Sequence, residues 1–249
     1  WSNEPAFATG VTETGITGIC GSGIIEVIAE MFLAGIVTED GVIDGELAAR
    51  SPRIVPDGRT FSYVLHEGDG PGNGPGDAGA GPRIAITQND VRAIQLGKAA
   101  LYAGVRLLMD QLAIDEVDEI RLAGAFGSQI DPTHAMILGL IPDCDLAHVR
   151  SAGNAAGTGA LIALLSGAAR TEIEGVVRRV EKIETAVEPR FQQHFVEAMA
   201  FPHKTAAFPH LAAVVSLPER TATTGAAGAD ARNERRRRRT VAIGTREDG

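Results

Sequence analysis

Cysteine is scarce in this sequence. Cys20 and Cys144 are the two present, and they lie far apart and outside any CxxC or Cys/His spacing. A disulfide framework and a zinc site are therefore not expected, and a reducing, cytoplasmic setting is. Long apolar runs are missing as well. "GIIEVIAEMFLAGIV" is interrupted by Glu26 and Glu30, and "GALIALLSGAA" is short. Neither reaches the ~20 residues of a membrane helix, so no membrane span and no secretory signal are expected. Nor does the main body have a basic excess. Residues 219–249 hold eight arginines against five acids, which leaves residues 1–218 with 15 basic and 27 acidic side chains, a formal charge of −12. Such a body is a poor general binder of nucleic acid, and the run Arg235–Arg239 reads as a solvated tail. GxxxxGK[ST] and the serine elbow of a hydrolase are also lacking, and the glycines at 18, 21 and 23 run GxxGxG, the reverse of the dinucleotide fingerprint. With 44% hydrophobic residues, the 249-residue chain can still bury one large core or two small ones. Its first residue is Trp1 rather than Met, and we expect it to be the C-terminal part of something longer.

Strands and helices alternate. "GICGSG" (18–23) opens into a helix from about Ser22 to Ala34, on which Ile24, Val27, Ile28, Met31 and Phe32 recur at helical spacing. "TFSYVL" (60–65) alternates like a strand. A glycine- and proline-rich excursion (67–82) follows and is expected to be flexible, and "RIAI" (83–86) resumes as a strand. Thr87 and Asp90 stand at capping-box spacing before a long helix to about residue 112, whose apolar positions include Val91, Ile94, Ala99, Leu101, Val105, Leu108 and Leu112. "VDEIRLAG" reads as a strand and "PTHAMILGLI" as a short helix. "VRSAGNAAGTGALIALLSG" (149–167) reads as a small-residue loop leading into a closely packed helix. "VEKIETAV" is expected as a strand and "PRFQQHFVEAMA" as a helix. This order predicts an α/β fold with a mixed, mainly parallel sheet and flanking helices, occupying residues 1–218, with a disordered Arg-rich tail over 219–249.

Two glycine segments carry the functional question. In "GICGSG" the unpaired amides of a helix start could cradle a phosphate, or the glycines could serve a tight turn. In "LAGAFG" (122–127) Gly124 and Gly127 lie beyond the carboxyl end of a strand, where open α/β sheets bind ligands; close helix-on-sheet packing is the alternative. Asp131 and Asp143 read as loop and cap residues rather than acids or Mg²⁺ partners, and the prolines of the two "FPH" copies argue against a metal pair at His203 and His210.

The order of the pieces adds specificity. "LAGAFGSQIDPTHAMILGLIPD" followed by "SAGNAAGTGA" resembles the C-terminal half of the acetate and sugar kinase, chaperone and actin superfamily. Together with "GICGSGIIEVIAEM", "ITQNDVRAIQLGKAALYAGVRLLM" and "AVEPRFQQHFVEAMAFPH", these blocks resemble, over about residues 16–217, the ATP-dependent reductive activators of corrinoid proteins. The resemblance implies an actin-like (ribonuclease H-like) ATPase subdomain binding ATP with Mg²⁺. It further implies a [2Fe–2S] cluster on a separate N-terminal domain, and a corrinoid protein of a methyltransferase system as partner, whose Co(II) is returned to Co(I). By residue, it implies that Gly124, Ala125, Phe126, Gly127 and Ser128 receive adenosine and that Gln95 and Lys98 line the base. Gly153, Asn154 and Gly157 would shape the hinge-side wall, and Gly21, Ser22 and Gly23 would meet phosphate. A homodimer is a further expectation; no catalytic residue is assigned. Two departures stand out: two cysteines cannot ligate a four-thiolate cluster, and no aspartate-glycine phosphate loop precedes Gly18. A small-molecule kinase of the same superfamily and a non-catalytic nucleotide-binding scaffold are the alternatives.

Overall fold

The first helix forms where the apolar spacing demands it. In the computed structural model, which describes residues 16–68, 82–185 and 187–218, α1 spans Gly21–Leu33 and turns Ile25, Val27, Ile28, Ala29, Met31 and Phe32 inward. A short 3₁₀ turn (Gly45–Ala49) leads into β1 (Ile54–Asp57) and β2 (Thr60–His66). With β3 (Ile84–Thr87) these build a three-stranded antiparallel sheet in the order β1-β2-β3. Nearly all of the glycine- and proline-rich excursion, residues 1–15 and the Arg-rich tail lie outside the described residues.

Helix α2 (Gln88–Gln111) begins on the expected capping box: the Thr87 N–H donates to Asp90 Oδ2 at 2.8 Å, and the Asp90 N–H donates to Thr87 Oγ1 at 3.1 Å. Next come β4 (Ile120–Ala123), the single-turn α3 (Gly124–Gly127), α4 (Pro132–Leu138) and β5 (Val149–Gly153). β4 and β5 pair in parallel, and this two-stranded sheet is the parallel component among the described residues. The chain continues through α5 (Ala155–Leu165), α6 (Gly167–Val177), α7 (Phe191–Glu197) and α8 (Pro209–Val214). α1 packs on α4, α2 on α7, and α4 on α8. Their shared core includes Ile28, Val91, Met136, Leu138 and Leu211, all fully buried.

Three local expectations change. Residues 149–153 form a strand, not a loop, because their backbone pairs with β4. "VEKIETAV" forms no strand among its described residues, and α6 takes up the stretch before it. The small residues Ala156, Gly157 and Ala160 of α5 face solvent instead of a close neighbour. No helix among the described residues is long and apolar enough to cross a membrane.

Candidate functional site

At the carboxyl edge of the parallel pair, both strands end on glycines that a side chain would strain. Ala123 is paired with Gly153 across the sheet. Gly124 has φ +94° and Gly153 φ +57°, and open space surrounds the position a Cβ would take on either. Their glycine identity therefore answers a backbone requirement: each strand must turn sharply into the helix behind it. Gly127 is different. A Cβ there would stand 3.3 Å from the Leu122 carbonyl carbon, so this glycine serves close packing of α3 on its own strand. Ser128 closes the turn, its N–H donating to Gly124 O and its hydroxyl to Ala125 O, both at 3.0 Å. Ala125 and Phe126 remain exposed.

Beside this turn, β5 passes into α5 through Asn154, whose Oδ1 accepts the Gly157 N–H at 2.9 Å. A Cβ on Gly157 would stand 2.5 Å from Asn154 Nδ2, so a side chain there would displace the capping amide from its present position. Asn154 and Gly157 thus form a helix start at the wall of the site.

The third segment arrives from far away in sequence. A Cβ on Gly21 would lie 2.8 Å from Phe126 Cε2, so the N-terminus of α1 sits directly against the "LAGAFG" turn. Cys20 caps this helix, its Sγ accepting the Gly23 N–H at 3.4 Å, while Cys20 O accepts from Ile24 N–H. Among the described residues, no acceptor is taken by the amides of Gly21 and Ser22, which point out of the first turn as helix geometry requires. The Ser22 hydroxyl, and after it the Gly23 N–H, hold the Cys20 thiol below its ordinary range. Reading the sequence did not identify Cys20 as a cap; the signal was its place immediately before the apolar repeat, a place where Ser, Thr, Asp or Asn is usual.

Gln95 and Lys98 correct an expectation. Gln95 is 1% exposed and donates through Nε2 to Asp40 O and Met199 O at 3.0 and 2.9 Å. Lys98 is 2% exposed; its Nζ donates to Ala200 O and to Pro202 O and lies 5.2 Å from the centre of the Phe201 ring. Both polar ends are consumed by main-chain carbonyls, so these side chains clamp the loops at 38–41 and 199–202 and do not line a nucleotide base. Asp131 caps α4 through His134 N–H, and Asp143 caps α8 through the N–H groups of His210 and Leu211. No cluster of His, Cys, Asp or Glu among the described residues is built to hold a metal ion.

Gly21–Gly23, Gly124–Ser128 and Gly153–Gly157 lie together as two helix starts and a tight turn at the carboxyl edge of β4 and β5. Three comparisons bear on it. A family described as "C-terminal domain of RACo the ASKHA domain" matches residues 2–212. The corrinoid activation enzyme RamQ of Eubacterium limosum is 35% identical over 194 residues, which cover 75% of this chain and 31% of RamQ. A solved structure named as a reductive activator for corrinoid, iron-sulfur protein is 33% identical with a TM-score of 0.64, over 76% of this chain and 29% of that one. The chain thus spans about a third of the length of these relatives, and it belongs to the family of the C-terminal ASKHA domain of RACo.

Proposed function

We propose that this chain is the nucleotide-binding part of a reductive activator of corrinoid proteins, and that ATP binds at the carboxyl edge of β4 and β5. The observation that carries the reading is the contact of Gly21 with Phe126, which brings the free amides of an N-terminal helix turn beside a strand-end glycine turn. Unpaired amides and the helix dipole favour a phosphate group. The left-handed turns at Gly124 and Gly153 leave open space where adenosine would approach backbone. In this arrangement Gly21 and Ser22 hold phosphate, Gly124–Ser128 receive the nucleoside, and Asn154 and Gly157 keep the wall of the site in place. Bound ATP supplies binding and hydrolysis energy, and what the chain's own residues contribute is binding and orientation. The described residues offer no carboxylate cluster for Mg²⁺, which would enter on the triphosphate.

Two cysteines, one of them buried, do not fit a [2Fe–2S] centre, so no redox step is assigned to residues of this chain. In the proposed activator the cluster sits on another domain, in the cytoplasm. ATP-driven closure around the site biases docking of a corrinoid partner from a methyltransferase system, whose Co(II) is reduced to Co(I).

The test is isothermal titration of MgATP into the full chain and into Ser22→Glu. Glutamate in a first helical turn is favourable for the fold but opposes a phosphate there. We expect at least a tenfold loss of affinity with the melting temperature unchanged. Equal affinity in the two proteins overturns the placement.

A further inference from the structure

Helix α2 turns Val91, Gln95, Lys98, Tyr102 and Met109 to the core. Its opposite face carries Ala93, Gly97, Leu101, Gly104, Leu108 and, at the C-cap, Leu112, in steps of three and four residues that keep them in one row. Leu101, Leu108 and Leu112 are 49%, 53% and 69% exposed. No charge interrupts the row. Asp90 closes the capping box, Arg92 reaches Gln95 on the buried face, Lys98 is buried, and Arg106 pairs with Asp110. The outward face of a helix ordinarily carries charged and polar side chains, and this one runs about five turns without a charge.

An independent observation comes from the two glycines of the row. Gly97 and Gly104 lie inside the helix without a left-handed φ, and among the described residues nothing stands within 4 Å of the place a Cβ would take on either. Glycine is among the poorest residues for a helix interior, and neither backbone conformation nor a neighbouring group of the chain requires it here. Bare backbone on an open face serves the close approach of another body. The order of large and small says which body. About the midpoint of the row, between Tyr102 and Ala103, each leucine has a small residue at its mirror position: Leu101 with Gly104, Leu108 with Gly97, Leu112 with Ala93. A second copy crossing antiparallel at that point seats the three leucines of each helix in the three gaps of the other, six contacts related by one twofold axis. Parallel pairing would set leucine against leucine and glycine against glycine. From Ala93 to Leu112 the row is about 28 Å long and on the order of 10 Å wide. It covers a few hundred square ångströms per copy, less than the ~800 Å² of a standard interface. That area, with no charge to desolvate, suits a dimer that forms reversibly at micromolar protein.

We infer that α2 pairs with α2 of a second copy of this chain, antiparallel, with Leu101, Leu108 and Leu112 set against Gly104, Gly97 and Ala93 of the other copy. None of these residues belongs to the β4–β5 edge, so the inference stands or falls independently of ATP binding.

Sedimentation equilibrium of the full chain between ~1 and ~100 µM reads the association directly. The parent should pass from monomer to dimer across this range. Gly104→Leu fills a gap and should weaken dimerisation at least tenfold. Its melting temperature at ~1 µM should be equal to the parent's or higher, because leucine is the better helix former at an open position. Leu101→Gly removes the opposing side chain and should weaken dimerisation to a similar degree. The exchange Leu101→Gly with Gly104→Leu again sets one large residue against one small, and should recover the parent affinity to within about threefold. A role confined to the fold of one chain produces no such recovery. A parent that stays monomeric at ~100 µM, a dimer indifferent to both single substitutions, or an exchange variant that associates no better than the single ones overturns the inference.

Discussion

Lys98 shows how one residue can serve the fold while inviting a functional reading. Burial pulls its amine from the ordinary 10.5 down to about 7, while the carbonyls of Ala200 and Pro202 and the Phe201 ring act to keep it charged. The sign follows from proton counting. Between pH 7 and 10.5 the unfolded chain holds a proton that the folded chain gives up, so stability rises with pH across that window and levels off below 7. The limiting slope is about 1.4 kcal/mol per pH unit, and the carbonyls reduce it. Lys98→Met should be less stable than the parent at pH 9 and should lose this pH-dependent rise between pH 7 and 9. Urea titrations of both proteins across that range check it; parallel stability profiles would refute the assignment. Nothing in residue type distinguishes such a lysine from a ligand-binding one, because the deciding partners are main-chain carbonyls about 100 positions downstream.

At the scale of elements, the sequence showed where helices start better than which face they bury. The capping box at Thr87 and the apolar repeat of α1 formed as their spacing implies. On α2 the apparent apolar stripe proved misleading: Leu101, Leu108 and Leu112 are exposed, while Val91, Gln95, Lys98, Tyr102 and Met109 form the buried face. Polar residues can occupy that face because loop backbones satisfy them, which periodicity of apolar residues alone cannot reveal. "VEKIETAV" alternates like a strand, yet alternation yields a strand only where a neighbouring edge accepts its hydrogen bonds. The glycine turn was legible for a different reason, since Gly124 and Gly153 mark backbone that other residues adopt only under strain. The fastening of α7 to α2 was not legible. There Asp110 Oδ2 meets His194 Nε2 at 2.8 Å and Arg190 at 2.9 Å. Burial pushes the Asp110 carboxyl up, but the His194 hydrogen bond and the Arg190 and Arg106 charges outweigh it and hold it below the ordinary range. A depressed carboxylate pKa stabilises the fold above the unfolded value near 4 and loses that contribution as pH falls through the folded value. Asp110→Asn should therefore cost on the order of 1 kcal/mol at pH 7, and the difference should shrink as pH falls below the unfolded value and through the folded one. Equal melting temperatures at pH 7 would show that the network contributes nothing to stability.

For the whole chain, the composition supplies more apolar surface than the described residues bury together. α5 and α6 pack on each other yet leave Leu164 and Leu165 75% and 76% exposed, with Leu161, Ile173, Val176 and Val177 also in solvent. The two-stranded β4–β5 sheet shares this exposure, with Arg150, Ser151 and Ala152 of β5 all open. Six large apolar side chains exposed on two packed helices exceed the scattered leucines of an ordinary surface, and half of them lie on α5, the helix whose start walls the proposed nucleotide site. Its exposure also explains why α5 reads as a tightly packed helix in sequence: small residues at Ala156, Gly157 and Ala160 are what close approach requires, whether or not the approaching group is within the chain. The consequence is measurable on the chain as it is. An anilinonaphthalene sulfonate probe should fluoresce strongly with the folded protein. The double substitution Leu164→Glu, Leu165→Glu should dim that signal severalfold while leaving the melting temperature within about 2 °C, since neither side chain contributes to the core. A large drop in melting temperature would mean that these leucines are buried in solution. An undiminished signal at unchanged stability would place the exposed apolar surface elsewhere, first of all on the outward stripe of α2 formed by Leu101, Leu108 and Leu112.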